Sequence, residues 1–251
     1  MSPGRLAGVR AILFDVLHTL VDDSGFPRAQ LKRLLEEEGH SVDPDRFETV
    51  YRAVTARQYD WEAAAVEEPF RTIRDRHEAR LKILFEEFDL ADSRDLESDI
   101  EFLWERIATS RIYPEVPEVL PELERRGYRL ALISNADEDD PVIRALLEAD
   151  LPVHFEVIVT SEAVGAYKPA SRIFERALQK LDLDPDRVGL VGDSPTSDIL
   201  GGTRIGMPVI WVNRRGIELP DDMPEPSATV SDLHGLLELL PGTGRERRPA
   251  G

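Results

Sequence analysis

Residues 11–23 read AILFDVLHTLVDD, an apolar run that ends on an acid and continues through Leu-His-Thr. Taking a carboxylate out of water at the end of a buried strand is costly, so Asp15 needs a task. The residues around it decide what that task is, and the rest of the chain shows whether partners for it exist.

The run does not stand alone. VRAILFDV (9–16), YRLALISN (128–135), FEVIVTS (155–161), RVGLVGDS (187–194) and PVIWVN (208–213) are all rich in Val, Ile and Leu. Near-continuous apolarity, without polar alternation, predicts strands covered on both faces, as in a parallel sheet. Between the later runs, PEVLPELERRG (117–127), PVIRALLEADL (141–151), SRIFERALQKL (171–181) and SDILGGTRIG (197–206) space their apolar residues three and four apart, and two of them end at Gly. Strands alternating with helices predict a doubly wound α/β fold with a parallel five-stranded, Rossmann-like sheet.

Residues 22–110 break the alternation. They are charged and amphipathic, with apolar stripes such as Phe47, Val50, Tyr51, Val54 and Ile100, Leu103, Trp104, Ile107. This predicts an all-helical insertion, packed as a small bundle, between a core made of residues 1–21 and 111–240. The tail from 241 to 251 has almost no apolar content and is expected to lack structure.

Composition limits the partners. Forty-nine acids against 31 Lys plus Arg give a net charge of −18, which repels nucleic acid. The absence of Cys excludes disulfides and thiol chemistry. No run approaches the roughly 20 apolar residues of a membrane span, so a cytoplasmic protein without a membrane partner is expected. The sequence carries no signal for oligomeric state.

The strand ends carry the chemistry. Asp15, Ser134, Lys168 and the pair Asp193 and Asp198 lie at or just beyond them, where open α/β sheets bind ligands. Two or three carboxylates are hard oxygen ligands suited to Mg²⁺, and a lysine and a hydroxyl suit the anion that accompanies it, phosphate above all. In GDSPTSDILGG (192–202), Gly201 and Gly202 would let the following helix approach the sheet closely. The acidic run DEDD (137–140) reads as a solvated helix start, and Arg52 and Arg57 as exposed helix residues with a lesser claim on an anionic substrate.

Taken in order, FDVLHTLVD, LISNA, YKPASRIF and VGDSPTSDILGGTRIGM resemble the four motifs of the haloacid dehalogenase-like hydrolase superfamily, and the helical insertion is similar to its C1 cap. The resemblance implies Asp15 as nucleophile, Thr19 as its hydrogen-bonding neighbour, and Ser134, Asn135 and Lys168 on the substrate phosphate. It implies Mg²⁺ held by Asp15, Asp193, Asp198 and the backbone carbonyl of Leu17. The expected activity is hydrolysis of a small phosphorylated metabolite through an aspartyl-phosphate.

One departure qualifies this. The superfamily's phosphatases carry a second aspartate, which protonates the leaving oxygen and then activates water, where this chain has Leu17, and a glycine where it has His18. Loss of a general acid/base costs about 10²–10⁴ in rate. A weakened or inactive relative that only binds a phosphorylated ligand is therefore an alternative. A true dehalogenase is another, but that branch needs no metal and lacks the aspartate that Asp193 represents. His18, an imidazole beside the missing acid, is the one nearby substitute for a proton carrier.

Overall fold

The opening run forms β1 (Ala11–Phe14), whose four side chains are all fully buried. They divide by the two-residue period of the pleat, Ile12 and Phe14 entering one apolar cluster and Ala11 and Leu13 the other. The computed structural model describes residues 6–22, 26–36, 42–63, 70–90, 95–107, 111–149, 151 and 153–244. After β1 come β2 (Val21–Asp22) and four helices, α1 (Phe26–Glu36), α2 (Pro44–Ala63), α3 (Ile73–Glu87) and α4 (Leu96–Ile107). β3 (Arg111–Ile112) then pairs antiparallel with β2 and ties together the two ends of the helical insertion.

The chain continues through α5 (Val116–Arg125), β4 (Arg129–Ser134), α6 (Pro141–Glu148), β5 (Phe155–Thr160), the single turn α7 (Ser161–Val164), α8 (Ser171–Leu181), β6 (Val188–Gly192), α9 (Leu200–Arg204), β7 (Val209–Val212), β8 (Ala228–Val230) and α10 (Gly235–Leu239). The main sheet is parallel with order β5-β4-β1-β6-β7-β8. It therefore has six strands where five were expected. The sixth, β8, is only Ala-Thr-Val beside a Pro- and Ser-containing stretch, too short to stand out by apolarity. Residues of α5, α6 and α10 cover one face, and α8 the other.

Gly201 and Gly202 act as expected. A Cβ on Gly201 would come within 2.5 Å of the Phe174 ring, and one on Gly202 within 2.6 Å of Leu190, so only glycine lets α9 lie this close to the sheet.

The insertion has an apolar core of its own, with Leu31, Leu34, Phe47, Leu81, Leu84, Ile100 and Leu103 buried together and Val50 and Tyr51 packed against them. Val54 is also buried, whereas the side chains of Trp104, Ile107 and Arg57 lie outside the described residues, and Arg52 is exposed. The start of the expected unstructured tail is tied down. Thr243 N donates to Arg126 O at 3.0 Å and Gly242 N to the Tyr128 hydroxyl at 3.3 Å, while residues 245–251 lie outside the described residues.

Candidate active site

β1 is flanked by β4 and β6, and the chain leaves β5 on one side of the sheet to begin β6 on the other. Such a change of direction opens a crevice at the carboxyl ends of the strands. Asp15, the first residue past β1, is fixed to β6 by its N–H, which donates to Val191 O at 2.9 Å. Thr19 Oγ1 donates to Asp15 Oδ2 at 2.9 Å. Lys168 Nζ bridges two acids, donating to Asp15 Oδ1 at 2.6 Å and to Asp198 Oδ1 at 2.8 Å. Ser194 N donates to the other oxygen of Asp198 at 3.0 Å.

Ser134 is buried at the end of β4. Asn135 is engaged with the third motif: its Oδ1 accepts from Lys168 N at 2.7 Å, and its Nδ2 donates to Lys168 O at 3.2 Å. The amide thus holds the backbone that presents the lysine.

Burial governs the charge balance. It pushes Asp193 up to about 8, with Asp15 and Asp198 adding repulsion. Asp198 rises to about 6 for the same first reason, although Lys168 opposes the shift. Burial works against the Lys168 ammonium too, but Asp15 and Asp198 outweigh it and hold its pKa above the ordinary lysine value. Lys168, with the exposed Arg215 at 3.9 Å from Asp193, leaves negative charge in excess among the three carboxylates.

Asp15, Asp193 and Asp198 each offer an oxygen within 4.8 Å of the others. Hard oxygen donors, closely gathered and short of positive charge, fit a divalent cation. The backbone makes room for them, since a Cβ on Gly192 would run into the Asp198 carboxylate. Trp211 Nε1 fixes the adjoining loop by donating to Asp193 O at 2.8 Å.

The first-motif turn has a support that sequence reasoning missed. His18 is left-handed at φ 60°, a conformation that favours glycine. Arg214 holds the turn through Nε to His18 O at 3.1 Å and Nη2 to Thr19 O at 2.9 Å. The same guanidinium lies over the Tyr113 ring at 3.6 Å and meets Glu115 at 2.6 Å. The Leu17 side chain packs against the core cluster. No sequence signal marks Arg214 beyond its place just after an apolar run.

A second correction concerns the acidic run. Asp137 and Asp140 are buried. Asp140 caps α6, and Asp137 reaches the insertion, accepting from Ile73 N at 2.7 Å and Arg74 N at 2.9 Å. Orphan N–H groups at a helix start attract a carboxylate, so Asp137 latches α3 onto the core. Tyr167 makes another latch, its hydroxyl donating to Arg71 O at 2.6 Å and its ring stacking on Phe70 at 5.0 Å.

The chain thus combines a parallel α/β core, a helical insertion after its first strand, and a strand-end acid joined by a bridging lysine to an acid cluster. The chain belongs to the haloacid dehalogenase-like hydrolases, whose family pattern matches residues 9–206. It is 31% identical over 243 residues to the glyceraldehyde 3-phosphate phosphatase of Methanothermobacter thermautotrophicus, covering 92% of this chain and 100% of that one. It is 29% identical over 244 residues to the N-acylneuraminate-9-phosphatase of Rattus norvegicus, covering 94% and 95%. Among solved structures, the L-2-haloacid dehalogenase RSc1362 superposes with a TM-score of 0.75 at 22% identity, over 92% of this chain and 98% of that one; this likeness is one of fold. Among the described residues, no helix is long and apolar enough to cross a membrane.

Proposed function

We propose that the protein is a phosphatase that hydrolyses a small phosphorylated metabolite through an aspartyl-phosphate on Asp15, with Mg²⁺ held by Asp15, Asp193, Asp198 and the Leu17 carbonyl. The observation that carries this reading is Lys168 Nζ bridging Asp15 and Asp198 beside a third acid, all at the switch point of the sheet. The relatives named as phosphatases support it.

When bound, the cation would neutralise phosphate oxygens in the transition state. Asp15 attacks phosphorus: a bond forms from its carboxylate oxygen, and the bond to the leaving alcohol's oxygen breaks. Thr19 and Lys168 each engage one oxygen of the carboxylate, fix its orientation and aim the attack. Lys168 also offers positive charge to the equatorial oxygens, with Ser134 as a hydroxyl donor. Water then adds to the phosphorus, inorganic phosphate departs and the Asp15 carboxylate is restored. Leu17 moves no proton in either half, so leaving groups that need none are favoured.

The test is phosphate release from 4-nitrophenyl phosphate. Turnover that Mg²⁺ supports, that a chelator abolishes and that Asp15→Asn lacks is the expected result. No turnover with any phosphomonoester favours the second reading, a binding protein, which rests on Leu17. Chelator-insensitive release of halide from 2-chloropropionate would instead assign dehalogenase chemistry.

A further inference from the structure

Arg76, in the first turns of α3, is buried to 6% exposure, yet its Nη1 has no hydrogen-bond partner. No described residue forms an ion pair with it. What it has is an aromatic surface, the guanidinium lying 3.7 Å from the centroid of the Tyr167 ring. That ring is itself fixed by Arg71 and Phe70, and Tyr167 immediately precedes the site lysine. Two residues before Arg76 in the helix, Arg74 N is gripped by Asp137, three positions beyond Ser134. Arg76 thus sits in the seam between insertion and core, beside both loops that supply phosphate ligands.

A buried cation without a partner lowers stability, and its place against the ring of Tyr167, next in sequence to the site lysine, suggests that a ligand supplies the missing charge. With one face of the guanidinium on a ring, the edge N–H groups remain as a planar fork matched to a two-oxygen anion. Arg80, one turn further on, is already engaged with His77 Nδ1 at 3.4 Å, so the fork left without a partner among the described residues is that of Arg76, and a planar two-oxygen group such as a carboxylate matches it.

We propose that Arg76 binds a carboxylate on the leaving part of the substrate, so that the enzyme acts on acid-bearing phosphomonoesters. The proposal rests on the phosphatase reading and names the substrate class of that same site.

Two matched pairs test it, 3-phosphoglycerate with glycerol 3-phosphate and phosphoserine with phosphoethanolamine, with 4-nitrophenyl phosphate as control. In the wild type, kcat/KM should favour the acid of at least one pair by about tenfold or more, because a buried polar group left unpaired penalises the analogue that lacks its partner. Arg76→Gln should erase that preference, Arg76→Lys should retain part of it, and the control substrate should change by less than about threefold. The melting temperature of Arg76→Gln should change little, because the lost contact with the Tyr167 ring is offset by removal of a buried charge that no described residue neutralises. Affinities titrated in the Asp15→Asn background should show the same acid preference and the same loss with Arg76→Gln. No acid preference in either pair, or a uniform loss on all substrates with a lowered melting temperature, overturns the proposal. If no substrate turns over, the phosphatase reading fails, and the titration alone decides for or against Arg76.

Discussion

Position 17 is apolar, and its side chain packs against the same core face as Phe14 and Val212, so the turn that carries Asp15 spends on packing what a proton carrier would spend on catalysis. Leu17→Asp should speed hydrolysis of the intermediate, by up to about 10²–10⁴-fold if the new carboxylate reaches the incoming water, and should lower stability by about 1–3 kcal/mol through burial of a polar group. Adding His18→Gly should relieve the left-handed strain, about 1 kcal/mol. Pre-steady-state rates and denaturant titration of the single and double variants check both effects; a double variant that turns over no faster than wild type would assign the proton to another group. At this scale Asp15, Lys168, Asp193 and Asp198 were legible because they lie at or just beyond the apolar runs, whereas Thr19 came only from the resemblance of FDVLHTLVD to a family motif. Arg76, Asp137 and Arg214 were hidden, since their roles come from partners far away in the chain, as Asp137 and Ile73 are at 64 positions.

Among the elements, β6 and the helical turn after it owe their geometry to glycine. Gly192→Ala should displace the Asp198 carboxylate from Lys168 and from Ser194 N, costing about 1–3 kcal/mol by overpacking and most of the metal-dependent turnover; thermal melts with and without Mg²⁺ beside rate assays check this. Asp137→Ala should leave two N–H groups at the start of α3 without their acceptor, loosening the insertion from the core. The expected result is a raised KM with a smaller change in kcat, and faster hydrogen exchange in residues 70–76. Five strands and the four inserted helices were legible from apolar runs and amphipathic stripes. β8 and the β2–β3 pair were not, being two or three residues long and defined by pairing rather than by composition.

For the whole molecule, the acid cluster links stability to pH and metal. Asp198 and Asp193 titrate near 6 and 8 in the folded state, against an ordinary 3.8. The native state therefore holds protons that the unfolded chain has lost, and the stability they contribute is full below about pH 4 and lost as pH rises through 6 and then 8. A bound divalent cation replaces those protons, so the rise in melting temperature on adding Mg²⁺ should be larger at pH 8 than at pH 5.5, and Asp193→Asn should shrink the difference. Equal shifts at both values would place the ion elsewhere. On the proposed mechanism, a nucleophile without a companion base should form its intermediate faster than it loses it. Rapid mixing with 4-nitrophenyl phosphate and Mg²⁺, acid quench and mass analysis of the peptide that contains Asp15 tests this most directly. The expected result is a burst of nitrophenol approaching one equivalent per active site, with a phosphoryl group on Asp15. Release that is linear from the first turnover, with no phosphoryl group on Asp15, would contradict it.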